Sequence, residues 1–200
     1  MDESLIVFAK KPILGTVKTR LAKTLGEEVT LSIYRQLLQI TFGLMQSIRQ
    51  KSILYWEGEI PEDSLGLGTE FPYAVQIQGD LGQKMESAFQ NELKKARSVC
   101  IIGTDCPEIT NEIIDNAFRS LNQYDVVIGP AKDGGYYLLG MKEMVPILFI
   151  DVPWSTNLVF SITMERLNSQ NKSVYVLPML SDLDEESDLN YFIEQQIIVL

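Results

Sequence analysis

Histidine is absent from the 200 residues, which removes Ser-His-Asp and Cys-His nucleophile systems, histidine zinc sites and imidazole acid-base chemistry. Proton transfer must then fall to carboxylates, Lys, Tyr or solvent. A metal site is most easily built from oxygens, which favours Mg²⁺ or Mn²⁺. Four segments carry residues suited to such chemistry. The first, 8–21, FAKKPILGTVKTRL, supplies Lys10, Lys11, Lys18 and Arg20 around a flexible Gly15. Backbone N–H groups, a helix start and the Arg20 fork there suit phosphate oxygens. Lys18-Thr19 does not end a P-loop, because Val17 and Pro12 stand where that motif has glycines, and a G-x-G-x-x-G pattern is absent. With Lys23, these cations also fit a solvated basic face.

The second segment, 103–110, GTDCPEIT, puts Asp105 just past an apolar run. There a carboxylate serves either as a metal ligand or as a turn and capping residue. In the third, 129–137, GPAKDGGYY, Asp133-Gly134-Gly135 demands an unusual backbone that lets a ligand approach, or forms a plain hairpin turn. The fourth is an acidic cluster at 182–188. Helix capping explains Asp188 best, while Asp182 and Asp184 lie far enough upstream to complete a metal site with Asp105.

The elements that must position these segments alternate β-rich runs with helical periods, the pattern of an α/β domain whose parallel sheet is covered on both faces. Strands are expected at 5–9, 53–56, 73–77, 99–102, 126–128, 136–139 and 174–177. A helix pair should follow Gly15, the second carrying Ile33, Leu37, Thr41, Leu44 and Ile48 on one face. Further helical periods run over 81–96 and 110–121, with Thr110 as N-cap, and a final helix carries Leu189, Phe192 and Ile193. Residues 57–72, with Pro61, Gly66, Gly68 and Pro72, fit a surface connection. Length and pattern fit one domain over 1–200.

A formal net charge of −10 argues against nucleic acid as a partner. The charge is uneven, since no acid lies between Ser4 and Gly26. No apolar stretch is long enough for a membrane span and no signal peptide is legible, so a cytoplasmic setting with Cys100 and Cys106 reduced is expected.

Together the pieces FAKKPILGTVKTRLAKTLG (8–26), QGDLGQKM (78–85), GTDCPEIT, GPAKDGGYYLLGM (129–141), PWST (153–156) and DLDEESDL (182–189) resemble bacterial GT-A-like glycosyltransferases of the arsenosugar-biosynthesis type. That family is similar to molybdenum-cofactor and phospholactate guanylyltransferases. The resemblance implies a Rossmann-like GT-A (nucleotide-diphospho-sugar transferase) fold with a mostly parallel central sheet and the nucleotide over the end of the first strand. It implies that Lys10, Gly15, Lys18, Thr19 and Arg20 bind base and diphosphate, with Gln78 and Gly79 near the base. Asp105 takes the metal position, completed by Asp184 and with Asp182 beside it. Gly134, Gly135, Tyr136, Trp154, Ser155 and Thr156 fall to the acceptor side. Gly103 stands where the glycosyltransferase D-x-D pattern would place its first Asp, and Lys84 stands where the family has Arg.

The expected reaction is metal-dependent transfer of a sugar from a nucleotide diphosphate sugar to a small-molecule acceptor. The alternative is nucleotidyl transfer, joining an NTP to a phosphorylated substrate with release of pyrophosphate. A nucleotide-binding protein without turnover would leave Asp133 and the 153–156 loop without a task. With Asp105 and Asp184 assigned to metal, Asp133 remains as the base that accepts the acceptor hydroxyl's proton.

Overall fold

The computed structural model describes residues 3–58 and 71–200, and most of the connection expected at 57–72 lies outside them. Seven strands form one sheet: β1 (Glu3–Lys10), β2 (Lys51–Glu57), β3 (Tyr73–Val75), β4 (Ser98–Ile102), β5 (Val126–Pro130), β6 (Tyr136–Met141) and β7 (Val174–Val176). Their spatial order is β3-β2-β1-β4-β6-β5-β7. All neighbours are parallel except β6, which runs antiparallel to both β4 and β5. Among the described residues six α-helices flank the sheet: α1 (Thr19–Leu25), α2 (Glu27–Ser47), α3 (Leu81–Glu92), α4 (Asn111–Ser120), α5 (Val159–Ser169) and α6 (Glu186–Glu194). The α/β class, the mostly parallel sheet and its helices on both faces are as expected from the sequence. Among the described residues no helix is long and apolar enough to cross a membrane.

Period-two alternation divides the strands between two cores. Leu5, Val7, Cys100 and Ile102 face one side and pack with Ile33, Leu37 and Phe42 of α2, Ile114 and Phe118 of α4, and Leu189 and Phe192 of α6. Ile6, Val99 and Ile101 face the other side, against Met85 and Phe89 of α3 and Leu167 of α5. Every residue of β4 is buried. A strand covered on both faces reads as the unbroken apolar run seen at 99–102. Both cysteines are buried and free.

The helix boundaries follow local chemistry. Asp80 and Gln83 form a reciprocal capping box at the start of α3, and the Thr110 hydroxyl accepts from the Ile113 N–H at the start of α4. The chain leaves β1 for β2 on one side and reaches β4 on the other, so the strand order reverses between β1 and β4. In open α/β sheets such a reversal opens a crevice beyond the carboxyl ends of the strands.

Candidate functional site

That crevice is a cleft of about 580 Å³, lined from the ends of β1 and β4, the loops after them, the β5–β6 turn, residues 154–156 and the segment before α6. Its volume suits one small-molecule ligand. Of the residues singled out in the sequence, it gathers Lys10, Lys18, Thr19, Arg20, Asp105, Asp133, Gly135, Tyr136, Trp154, Ser155, Thr156, Asp182 and Asp184.

Gly15, Gln78, Gly79 and Gly134 lie outside its lining. Gly15 faces the Glu27 carboxylate, and a Cβ on Gly79 would meet Gln83 Oε1 at 2.3 Å, so the QGD stretch serves the α3 cap. Gly134 has φ +90° and its bare Cα admits the Asn157 backbone, 2.4 Å from where a Cβ would stand. The close approach expected there is made by the protein's own chain.

Three loops converge on one end of the cleft. Leu183 N–H donates to the Asp105 carbonyl at 2.9 Å. Glu108 accepts from Ser181 N–H and the Tyr191 hydroxyl, each at 2.8 Å. These bonds lay the 103–110 loop along the acidic segment. Asp188 accepts from the N–H groups of Asp184 and Glu185, the capping role expected of it. Lys18 crosses from the first loop, and its Nζ lies 2.6 Å from Asp105 Oδ1 and 2.8 Å from Asp184 Oδ1.

Burial works against the Lys18 charge, but Asp105 and Asp184 outweigh it and hold the ammonium above the usual lysine range. Burial also works against the Asp184 charge, yet Lys18 keeps that carboxyl below its ordinary value. At Asp182 burial together with the charges of Asp105 and Asp133 outweighs the pull of Lys18 and pushes the carboxyl up to about 7.

These acids have the chemistry of a hard divalent cation site, because they offer oxygens only and carry more negative charge than Lys18 balances. The Lys18 ammonium sits between Asp105 and Asp184. In this arrangement no three carboxylates among the described residues close into a ligand set. Asp105, Asp184 and Asp182 would hold Mg²⁺ or Mn²⁺ there.

The rest of the lining differs in character. Tyr34 on α2 accepts from Lys10 N–H at 2.8 Å and donates to the Lys10 carbonyl at 3.0 Å, fixing the end of β1. Burial raises its phenol to about 12, so it stays a neutral donor. Beyond it, Glu57 pairs with Lys10 and Lys84, and Gln76 donates to the Tyr55 carbonyl at 2.8 Å. Sequence reasoning missed Tyr34, Glu57 and Gln76 as cleft residues. The signal available was their position, two of them at or just past a strand's carboxyl end.

On the other side Asp133 Oδ1 accepts from Gly135 N–H at 2.8 Å, so the carboxylate shapes its own turn while facing the cleft. Thr156 closes a local turn by donating to the Pro153 carbonyl. Trp154 Nε1 is buried without a hydrogen-bond partner. Ser155 has φ +62°, uncommon for a residue with a side chain.

A mostly parallel sheet with its cleft at the strand reversal is a fold shared with nucleotide-diphospho-sugar transferases and nucleotidyltransferases. Residues 43–156 match a family described as uncharacterized proteins conserved in bacteria, DUF2064, and the chain belongs to it. A protein of Desulfovibrio desulfuricans G20, provisionally assigned as a nucleotide-diphospho-sugar transferase, is similar in structure with a TM-score of 0.91 at 28% identity, over 98% of this chain and 88% of that one. Rv0371c of Mycobacterium tuberculosis H37Rv, in complex with manganese, aligns with a TM-score of 0.58 at 14% identity, over 97% and 99% of the two chains. The inositol-1-phosphate CTP transferase of T. maritima aligns with a TM-score of 0.62 at 14% identity, over 98% and 95%. At that identity these last two show the shared fold alone. No curated protein sequence matches the chain.

Proposed function

We propose that this protein is a divalent-metal-dependent transferase that moves a sugar from a nucleotide diphosphate sugar to a small-molecule acceptor. The observation that carries this reading is a cationic loop meeting a carboxylate cluster inside one cleft. Lys18 holds Asp105 and Asp184, Asp133 lies close enough for its charge to act on Asp182, and Tyr136 and Trp154 also line the cleft. The donor's diphosphate belongs with the cations, where the Arg20 fork suits its oxygens. The base then falls toward the ends of β1 and β2, in place of the Gln78-Gly79 contact expected from the sequence. A bound Mg²⁺ or Mn²⁺ would neutralise charge developing on the leaving diphosphate.

Asp133 would accept the proton of the acceptor hydroxyl as that oxygen attacks the sugar carbon. Trp154 and Tyr136 would wall the acceptor, with the indole nitrogen buried against Gly82 and the ring serving as apolar surface. On this reading the protein works like the arsenosugar-type glycosyltransferases that its motifs resemble. Nucleotide donors and two reduced cysteines fit a cytoplasmic setting, which we include in the proposal.

A second reading is supported by the fold likeness to the CTP transferase and by the missing first Asp of D-x-D. The same donor end would hold an NTP, and pyrophosphate would leave. Incubation with Mn²⁺ and labelled UDP-, GDP- and CDP-sugars, and separately with UTP, GTP and CTP, distinguishes the two. Glycosyl transfer is supported by nucleoside diphosphate appearing from a nucleotide sugar. Pyrophosphate released from an NTP, with all nucleotide sugars left intact, would replace it with the second reading.

A further inference from the structure

Lys18 is the side chain whose surroundings the transfer reaction leaves unexplained. Its backbone is left-handed, with φ 48° and ψ 47° at the N-cap of α1, a conformation costly for a residue with a Cβ. Its side chain is 5% exposed, although lysine is seldom buried unless paired. The ammonium is held by two carboxylates from two other loops, at 2.6 and 2.8 Å. Those carboxylates belong to Asp105 and Asp184, the residues placed as metal ligands above. Lys10, by contrast, pairs with Glu57, and Arg20 is exposed in the cleft lining; both act on Asp184 through their charge, without an ion pair to it.

We infer that Lys18 is an internal counter-ion that fills the divalent-cation position in the ligand-free protein, and that metal and nucleoside diphosphate bind cooperatively because the metal must displace its ammonium onto the diphosphate. This rests on the metal-dependent reading above. The physical reason is the cost of an unpaired buried charge. A divalent ion reaching Asp105 and Asp184 alone would take from the Lys18 ammonium both carboxylates that it is hydrogen-bonded to, which is unfavourable for a buried charge. A diphosphate arriving alone would meet carboxylates and a lysine already neutralised by them. When both arrive, the metal takes the acids and the ammonium takes the phosphate oxygens, so every charge is paired. Such coupling is reciprocal: each ligand tightens the other by the same factor.

The test measures free Mn²⁺ by electron paramagnetic resonance in titrations of wild type, Lys18→Met, Lys18→Arg and Asp105→Asn, each without nucleotide and with UDP, GDP or CDP. Without nucleotide, Lys18→Met should bind Mn²⁺ at least about tenfold more tightly than wild type, the order expected when a competing charge-assisted pair is removed. Lys18→Arg keeps a cation in place and should stay as weak as wild type. One of the nucleotides should tighten Mn²⁺ binding in wild type and do so much less in Lys18→Met. Wild-type Mn²⁺ affinity in Lys18→Met, with binding lost in Asp105→Asn, would overturn the role of Lys18 and leave the metal position standing. Wild-type affinity in Asp105→Asn would overturn the metal position and this inference with it. Should Lys18→Met fail to fold, wild type decides: Mn²⁺ affinity indifferent to all three nucleotides overturns the inference, and mutual tightening supports it.

Discussion

Asp133 is a residue whose two roles separate by substitution. Its Oδ1 accepts from Gly135 N–H, and an asparagine keeps that acceptor, so Asp133→Asn should preserve the turn and lose only the proton-accepting carboxylate. Turnover should fall by roughly 10² to 10⁴, the usual worth of a positioned base, with metal-dependent donor binding near wild type. A rate above about a third of wild type in steady-state assays would return Asp133 to the turn alone. Arg20 faces the cleft from an exposed position. Arg20→Lys keeps its charge and loses the fork, so nucleotide affinity measured by calorimetry should drop about tenfold. Unchanged affinity would place Arg20 on a solvated face. Lys18, Asp105, Asp133, Asp182 and Asp184 were all legible as residues that would meet in one cleft, because they lie in loops next to apolar runs or helical periods. That Lys18 pairs with two of those acids was not legible, since the loops meet only after the sheet brings the ends of β1 and β4 side by side.

At the scale of elements, the β1 end depends on α2 through one hydroxyl. Tyr34→Phe removes both bonds to the Lys10 backbone and should cost about 1–3 kcal/mol in denaturant melts, as expected when buried polar groups lose their partner. Nucleotide affinity should weaken with it, since Lys10 carries the rim of the cleft. At the far edge Asp125 accepts from the Ser173 hydroxyl and N–H, which hold its carboxyl below the ordinary range. A depressed carboxylate stabilises fully above its unfolded pKa of about 4, and that contribution fades as pH falls through the folded value. The gap in melting temperature between wild type and Asp125→Asn should therefore be widest near neutral pH and shrink below about pH 4. Strands were the most legible elements, β1 and β4 above all, because burial on both faces leaves unbroken apolar runs. Helix α5 escaped notice because its buried stripe, Val159, Thr163 and Leu167, has a polar residue at its centre, whose hydroxyl donates to the Val159 carbonyl. Strand β3 ends at Val75 rather than at the expected residue 77, since the chain turns toward the α3 cap; Gln76 beside it lines the cleft.

For the whole molecule, the nucleotide reading makes a demand independent of any single residue. Ligands that bind the folded state raise its melting temperature by mass action. Melts with UDP, GDP and CDP should shift for at least one of them, and only when Mn²⁺ or Mg²⁺ is present. The absence of any shift at millimolar ligand would remove the nucleotide reading altogether. The antiparallel strand β6 carries a further consequence for how such a protein diversifies. Because β6 returns beside β5, Asp133 rides on a hairpin tip instead of a crossover connection, and the β5–β6 ladder already shifts register between Gly129 and Pro130. Bulges of this kind absorb an extra residue locally. Under the proposed function, a change of length at this tip would reshape the acceptor side of the cleft, and because Gly134 packs on the Asn157 backbone, residues 154–157 would have to move with it, while the β1–β4 end of the cleft would keep its form.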